Sequence, residues 1–152
     1  MGPRAWGTAA AMALLALLTG GCGPDRGDME RRAVDEARTA AGDVQASLQD
    51  VVHTMAGASP AQLEEALEQS LEDSTVVTWH GAGATTDGST TWRVGVVGSV
   101  SEAEVPSYAH AYARLCFDAV LDHGTGQIAA LDADCPTDAP SPVGAVEADL
   151  EP

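Results

Sequence analysis

The chain has 152 residues, 23 of them acidic against seven basic, for a formal net charge of −16. So acidic a chain argues against nucleic-acid binding, which needs clustered cations to neutralise phosphates. It also argues against lying flat on anionic lipid. A chain of this length can bury one workable core, but with one Phe, three Trp and two Tyr that core has few large aromatics.

Residues 1–21 have the parts of a secretory signal. Arg4 is basic, Ala9 to Leu18 is an unbroken apolar run, and Thr19-Gly20-Gly21 leads to Cys22. The run is well short of the ~20 residues needed to cross a bilayer. Gly20, Gly21 and Cys22 resemble a bacterial lipobox, although Thr19 stands where Leu is usual. The resemblance implies that Cys22 carries diacylglycerol and becomes the first residue of the mature chain. The other reading is an ordinary cleavage near Gly21 and a soluble secreted product. Removing residues 1–21 takes away Arg4 and no acidic residue, so the mature chain is still more negative.

Cysteine parity supports the anchor. Of three cysteines, lipidation of Cys22 leaves Cys116 and Cys135 as a pair, which outside the cytoplasm is expected to form a disulfide. All basic residues are Arg, Lys and Asn are absent, and Ile128 is the only Ile. Lys, Asn and Ile are the residues of AT-rich codons. In this high-GC style, and in its signal, the whole resembles an actinobacterial lipoprotein; the resemblance extends to no functional family.

Residues 22–27 read as a short lipidated tether. From Asp28 to Ala56, Val34, Ala37, Ala41, Val44, Leu48, Val51 and Met55 recur at alternating three- and four-residue steps, which predicts an amphipathic helix. Gly57 stops it. Ser59-Pro60-Ala61-Gln62 starts a second helix through about Asp73, with Ser as N-cap, Pro at the first position and Gln three after the cap. Leu63, Ala66, Leu67 and Leu71 line its apolar face.

At Thr75 the pattern becomes β-like. Residues 75–80 predict a strand, 81–89 a Gly/Thr/Asp loop, and 90–97 a strand with Trp92, Val94 and Val96 on one side. After a loop around 102–106, residues 107–121 alternate, with a first half that also reads as helix. Asp122 to Gln127 is a turn, and residues 128–134 return as a strand. A two-residue loop at Thr125-Gly126 would set Cys116 opposite Cys135, but it also puts Asp132 and Asp134 on the face of Phe117. Residues 136–152 are Pro-, Ala- and acid-rich and predict a disordered acidic tail. The expected fold is α+β. An N-terminal helical hairpin packs on a three- to four-stranded antiparallel sheet, all within one domain spanning residues 28–135.

If the helices cover the Leu115/Phe117 face, then Tyr108, His110, Tyr112 and Arg114, with Arg93 alongside, line the other. Tyr and Arg are enriched in binding hot spots. The plainer reading is that each Arg pairs with a nearby carboxylate such as Asp118 while the tyrosines cover sheet surface. Asp132 and Asp134 with His123 lack the oxygen count of a calcium site, and His53, His80, His110 and His123 show no zinc spacing. Ser99 lacks the flanking glycines of a nucleophile elbow. No cofactor motif and no catalytic residue emerges, and Trp79 and Trp92 read as core.

The expectation is therefore a membrane-tethered lipoprotein on the outer face of the cytoplasmic membrane, a non-enzymatic binding or accessory module. Its partner is the membrane through the lipid, and an envelope protein or small ligand beyond it. Two other classes stay open: a small extracytoplasmic hydrolase or metal-dependent enzyme, and a structural oligomer using the helical stripe.

Overall fold

A computed structural model describes residues 25–104 and 107–151. The signal at 1–21 and Cys22 lie outside the described residues. Helix α1 spans Arg26–Thr54 and α2 spans Pro60–Asp73. The strands are β1 Val77–His80, β2 Ala84–Thr86, β3 Ser89–Glu104, β4 Ser107–Asp122, β5 Gln127–Asp132 and β6 Val146–Ala148. The helical hairpin packs on the sheet, an α+β arrangement. The sheet order is β1-β3-β4-β5, with β2 also on β3 and β6 also on β4.

The capping chemistry follows the residues. The Asp25 carboxylate accepts the Gly27 N–H at 3.0 Å to open α1, so the tether is shorter than expected. Ser59 and Gln62 form a reciprocal capping box with Pro60 just inside α2. The buried stripe of α1 differs from the expected one. It is Met29, Ala33, Ala37, Ala41, Val44, Leu48 and Val52, in steps of mostly four residues rather than alternating three and four. Val34 and Val51 flank it, half-buried. A stripe that winds this way follows the twist of the sheet beneath it, and α1 spends it there.

One contact sets how closely α1 lies on β3. A Cβ built on Gly98 would fall 2.0 Å from the Ala33 carbonyl oxygen and 2.4 Å from the Ala37 nitrogen. The helix and strand backbones therefore touch, and only small residues fit between them. Farther along, Trp92, Phe117, Leu115, Leu121, Leu48, Leu67 and Leu71 fill a thicker core.

Two strand expectations need correction, and one open choice is resolved. The loop at 81–89 holds β2 and a tight Asp87-Gly88 turn, with Gly88 at φ 88°. The segment 107–113 is strand throughout, paired with β3 out to Glu104↔Ser107. The β4–β5 connection is four residues, because Asp122 pairs with Gln127. Asp122 Oδ1 accepts the N–H groups of Gly124 and Thr125, both at 2.8 Å, and Gly126 takes φ 65°. The register thus slips by two from the expected one, which leaves every side chain on its expected face. The Ala133 N–H now meets the Cys116 carbonyl. Cys135, two residues on, still reaches Cys116 in a disulfide with Cα atoms 5.1 Å apart.

Residues 136–151, expected to be disordered, fold back on the sheet. Ala139 is buried, Pro140 to Pro142 approach Thr78 and Val97, and β6 runs parallel to β4 at residues 113–115. Arg38 donates to the carbonyls of Asp149 and Glu151, and Leu150 packs on the core. Asp132, on the Phe117 side, is exposed, and the Leu150 N–H donates to it. Composition missed this segment because its partners are backbone groups and because the disulfide already holds its start against the sheet.

Candidate functional site

The face of the sheet away from the helices divides into two parts. Over its middle, Trp79 lies half-buried against Gly95, whose missing Cβ leaves 3.7 Å to Trp79 Cε3 and 3.6 Å to Cys116 Sγ. Trp79, expected in the core, therefore lies instead on the opposite face, over Gly95 beside Cys116. A bulge between Val77 and Trp79 turns it that way. Trp92, on the helix side, is fully buried and donates its indole N–H to Glu68 at 3.3 Å.

The two arginines of the expected face are both engaged. Arg93 makes a two-pronged contact with Asp118, at 2.8 and 2.9 Å, and this hydrogen bond raises its pKa further above the ordinary range. Arg114 donates to Glu147 and to the Ala139 carbonyl beneath the returning tail, and its Nε is buried without a partner among the described residues. Both guanidiniums are thus already paired with a carboxylate. This is the pairing the plainer reading foresaw for Arg93.

Beyond the tail, the distal part of the same face is open. On β4 stand Tyr108, His110 and Tyr112; opposite them on β3 are Ala103, Ser101 and Ser99. Tyr108 is 77% exposed. His110 and Tyr112 stack with ring centroids 6.3 Å apart and planes 10° from parallel, and Ser101 Oγ lies 2.9 Å from His110 Nδ1. Small residues on one strand and rings on the next make a step without carboxylate or Arg. The outer edge of β4 at 107–112 has no strand partner among the described residues, since β6 and β5 pair only from Ala113 onward.

A second cluster escaped the sequence reading. At the opposite end of the sheet the Thr90 hydroxyl lies 2.5 Å from Glu64 Oε1, 2.9 Å from His123 Nε2 and 3.1 Å from the Thr85 hydroxyl. His123 Nε2 and Glu64 Oε1 are 3.6 Å apart. Hydroxyl, imidazole and carboxylate together invite an enzyme reading. Thr90, however, is only 1% exposed, and its hydroxyl can donate to Glu64 while accepting from the other two. The cluster closes on itself and ties α2 to β3 and to the β4–β5 turn. Its members are far apart in sequence, so no local motif could have signalled it.

No group of three or more His, Cys, Asp or Glu is placed to hold a metal ion among the described residues. Asp132 and Asp134 share a shallow cleft with Arg93 and Asp149, and His123 is not among its lining residues. Among the described residues no helix is long and apolar enough to cross a membrane. Comparison with protein families, with curated proteins and with solved structures yields no match.

Proposed function

We propose that the protein is a lipid-tethered lipoprotein on the outer face of the cytoplasmic membrane, acting as a non-enzymatic binding or accessory module. The observation that carries this reading is the open step of Tyr108, His110 and Tyr112 beside Ser99 and Ser101. It is an aromatic surface without carboxylate or Arg in a chain of net charge −16, beside a strand edge that has no strand partner among the described residues. Tyrosines offer large contact area at low entropic cost, and they are frequent where proteins bind. The disulfide suits an oxidising compartment, as does the lipobox-like Cys22. The binding reading is preferred to the enzyme reading because the hydroxyl–imidazole–carboxylate cluster seen among the described residues buries its hydroxyl. It is preferred to the oligomer reading because α1 buries its apolar stripe on its own sheet.

The experiment places a photo-crosslinking amino acid at Tyr112 or, as a control, at Thr86, in the full-length protein expressed in its own host. A discrete adduct from position 112 and none from 86 is expected. Equal adduct patterns at the two positions would contradict a dedicated contact surface. In the same cells Cys22→Ala should abolish lipid labelling and release the protein from the membrane fraction; equal retention would defeat the lipoprotein reading.

A further inference from the structure

The segment Tyr108-Ala109-His110-Ala111-Tyr112 reads the same in either direction. It lies where the outer edge of β4 has no strand partner among the described residues, because β5 and β6 pair only from Ala113 onward. Farther along that edge, the Cys116 carbonyl accepts the Ala133 N–H. Alternate residues of a strand turn their backbone groups to the same edge, and β4 keeps an unbroken register with β3 from Ser107 to Asp122. Tyr112, His110 and Tyr108 therefore present their N–H and C=O groups outward, as Cys116 does.

Exposed strand edges are usually guarded by charged side chains, Pro or a bulge. Residues 107–112 have no carboxylate, Arg or Pro, and no bulge interrupts them. The other edge of the ribbon differs: beyond Val96, β3 carries Glu102 and Glu104, so two copies meeting there would oppose carboxylates. In an antiparallel pairing centred on His110, each His110 faces its counterpart, Tyr108 faces Tyr112 and Ala109 faces Ala111. The outward N–H groups of each copy then meet the outward carbonyls of the other, and the two Tyr108–Tyr112 pairs supply most of the side-chain contact. The two-fold axis is perpendicular to the sheet, which puts both helical hairpins on one side. At this end α1 lies over β3, its Ala33 and Ala37 against Gly98. The two β3 strands are three strand spacings apart, about 14 Å at ~4.8 Å each, so helices about 10–12 Å across fit side by side.

We propose that two copies of this chain pair through the outer edge of β4, antiparallel and centred on His110, and so join their sheets into one. The interface is isologous, the same patch on both copies, and uses a strand edge rather than the helical stripe. This pairing rests on the reading of the Tyr108–Tyr112 step as a contact surface, and it names the occupant of that surface as a second copy.

The test uses the full-length protein in its own host. The adduct from a photo-crosslinker at Tyr112 should have twice the mass of the chain and contain two copies of it. An adduct with a different protein leaves the contact surface standing and overturns the self-pairing. Equal patterns from positions 112 and 86 overturn the contact surface, and the self-pairing with it. Register is read from single cysteines. Directly opposed residues in an antiparallel pair have Cα atoms about 5.5 Å apart, within reach of a disulfide. On oxidation His110→Cys should therefore give a disulfide-linked dimer, and Tyr108→Cys or Tyr112→Cys alone at least fivefold less. Co-expressing Tyr108→Cys with Tyr112→Cys should restore the cross-link. Equal yields from the three single variants, or none from His110→Cys and from the mixed pair, overturn the pairing. His110→Glu sets two carboxylates face to face and should lower the position-112 adduct at least tenfold, whereas Thr86→Glu should leave it unchanged. An undiminished adduct in His110→Glu overturns the proposal.

Discussion

On the side facing the helices, residues 89–96 of β3 and 115–122 of β4 present Trp92, Val94, Val96, Leu115, Phe117 and Leu121, all fully buried. The distal halves of the same two strands present Gly98, Val100, Ala111 and Ala113. The first half is flanked by further strands and holds a thick core; the second is a two-stranded ribbon with the helix laid directly on its backbone. On the opposite face the contrast reverses. The first half is covered by Trp79, the disulfide and the returning tail, whereas the second exposes its rings. Stability is thus built into one half of the hairpin and the proposed contact surface into the other, and substitutions should separate them.

The largest effect should come from emptying the thick half. Trp92→Ala removes a fully buried indole that also bonds Glu68 and should cost about 3–5 kcal/mol by denaturant unfolding. A loss under about 1 kcal/mol would show that the core does not centre there.

Close behind is the backbone approach in the thin half. Gly98→Ala sets a methyl against the Ala33 carbonyl and the Ala37 nitrogen, and neither is the end of a flexible side chain that can move aside. Overpacking of this kind costs about 3 kcal/mol, read as a fall in the denaturation midpoint. A neutral result would mean that α1 does not lie as close as described.

The disulfide should rank next. Cys116→Ser/Cys135→Ser opens a loop with a sequence separation of 19 and should cost on the order of 3 kcal/mol by the chain-entropy model. Reductant should reproduce the shift in melting temperature. Free thiols at both positions in protein exported by its own host would contradict the pairing.

How much of this was legible in the sequence depended on whether partners were local. The capping box of α2 is a four-residue pattern, and its residues announced it. The faces of β4 were also legible, because strict alternation at residues 107–121 survives a register error of two. The phase of the α1 stripe was not: it is dictated by the twist of a sheet whose strands all come later in the chain. The strand at 146–148 was invisible for a related reason, since its partners are the backbone of β4 and a distant arginine. At the candidate site, the sequence placed Tyr108, His110 and Tyr112 on one face together with Arg93 and Arg114. It could not tell that Glu147 and Ala139 engage Arg114, because that depends on where the tail returns.

A smaller effect concerns pH and the turn that closes the thick half. Hydrogen bonds from Thr125, with a lesser one from the Gly124 N–H, hold the Asp122 carboxyl below its usual range. A carboxyl depressed on folding contributes stability that is present above its unfolded value, near ~3.9, and is lost as pH falls through the folded one. Asp122→Asn should therefore flatten the dependence of melting temperature on pH below about 4 and leave it unchanged near neutrality. An unaltered acid limb would show that the turn does not hold the charge.

The most direct test of the division between halves is Tyr108→Ser/Tyr112→Ser in the full-length protein, scored for both stability and contact. Because these rings stand outside the core, unfolding should change by less than about 1 kcal/mol, while the adduct formed by a photo-crosslinker at Ser99, across the strand pair from Tyr112, should disappear. A variant that melts several degrees lower would place the tyrosines in the stabilising half. A stable variant that keeps the adduct would remove the open step as the contact surface.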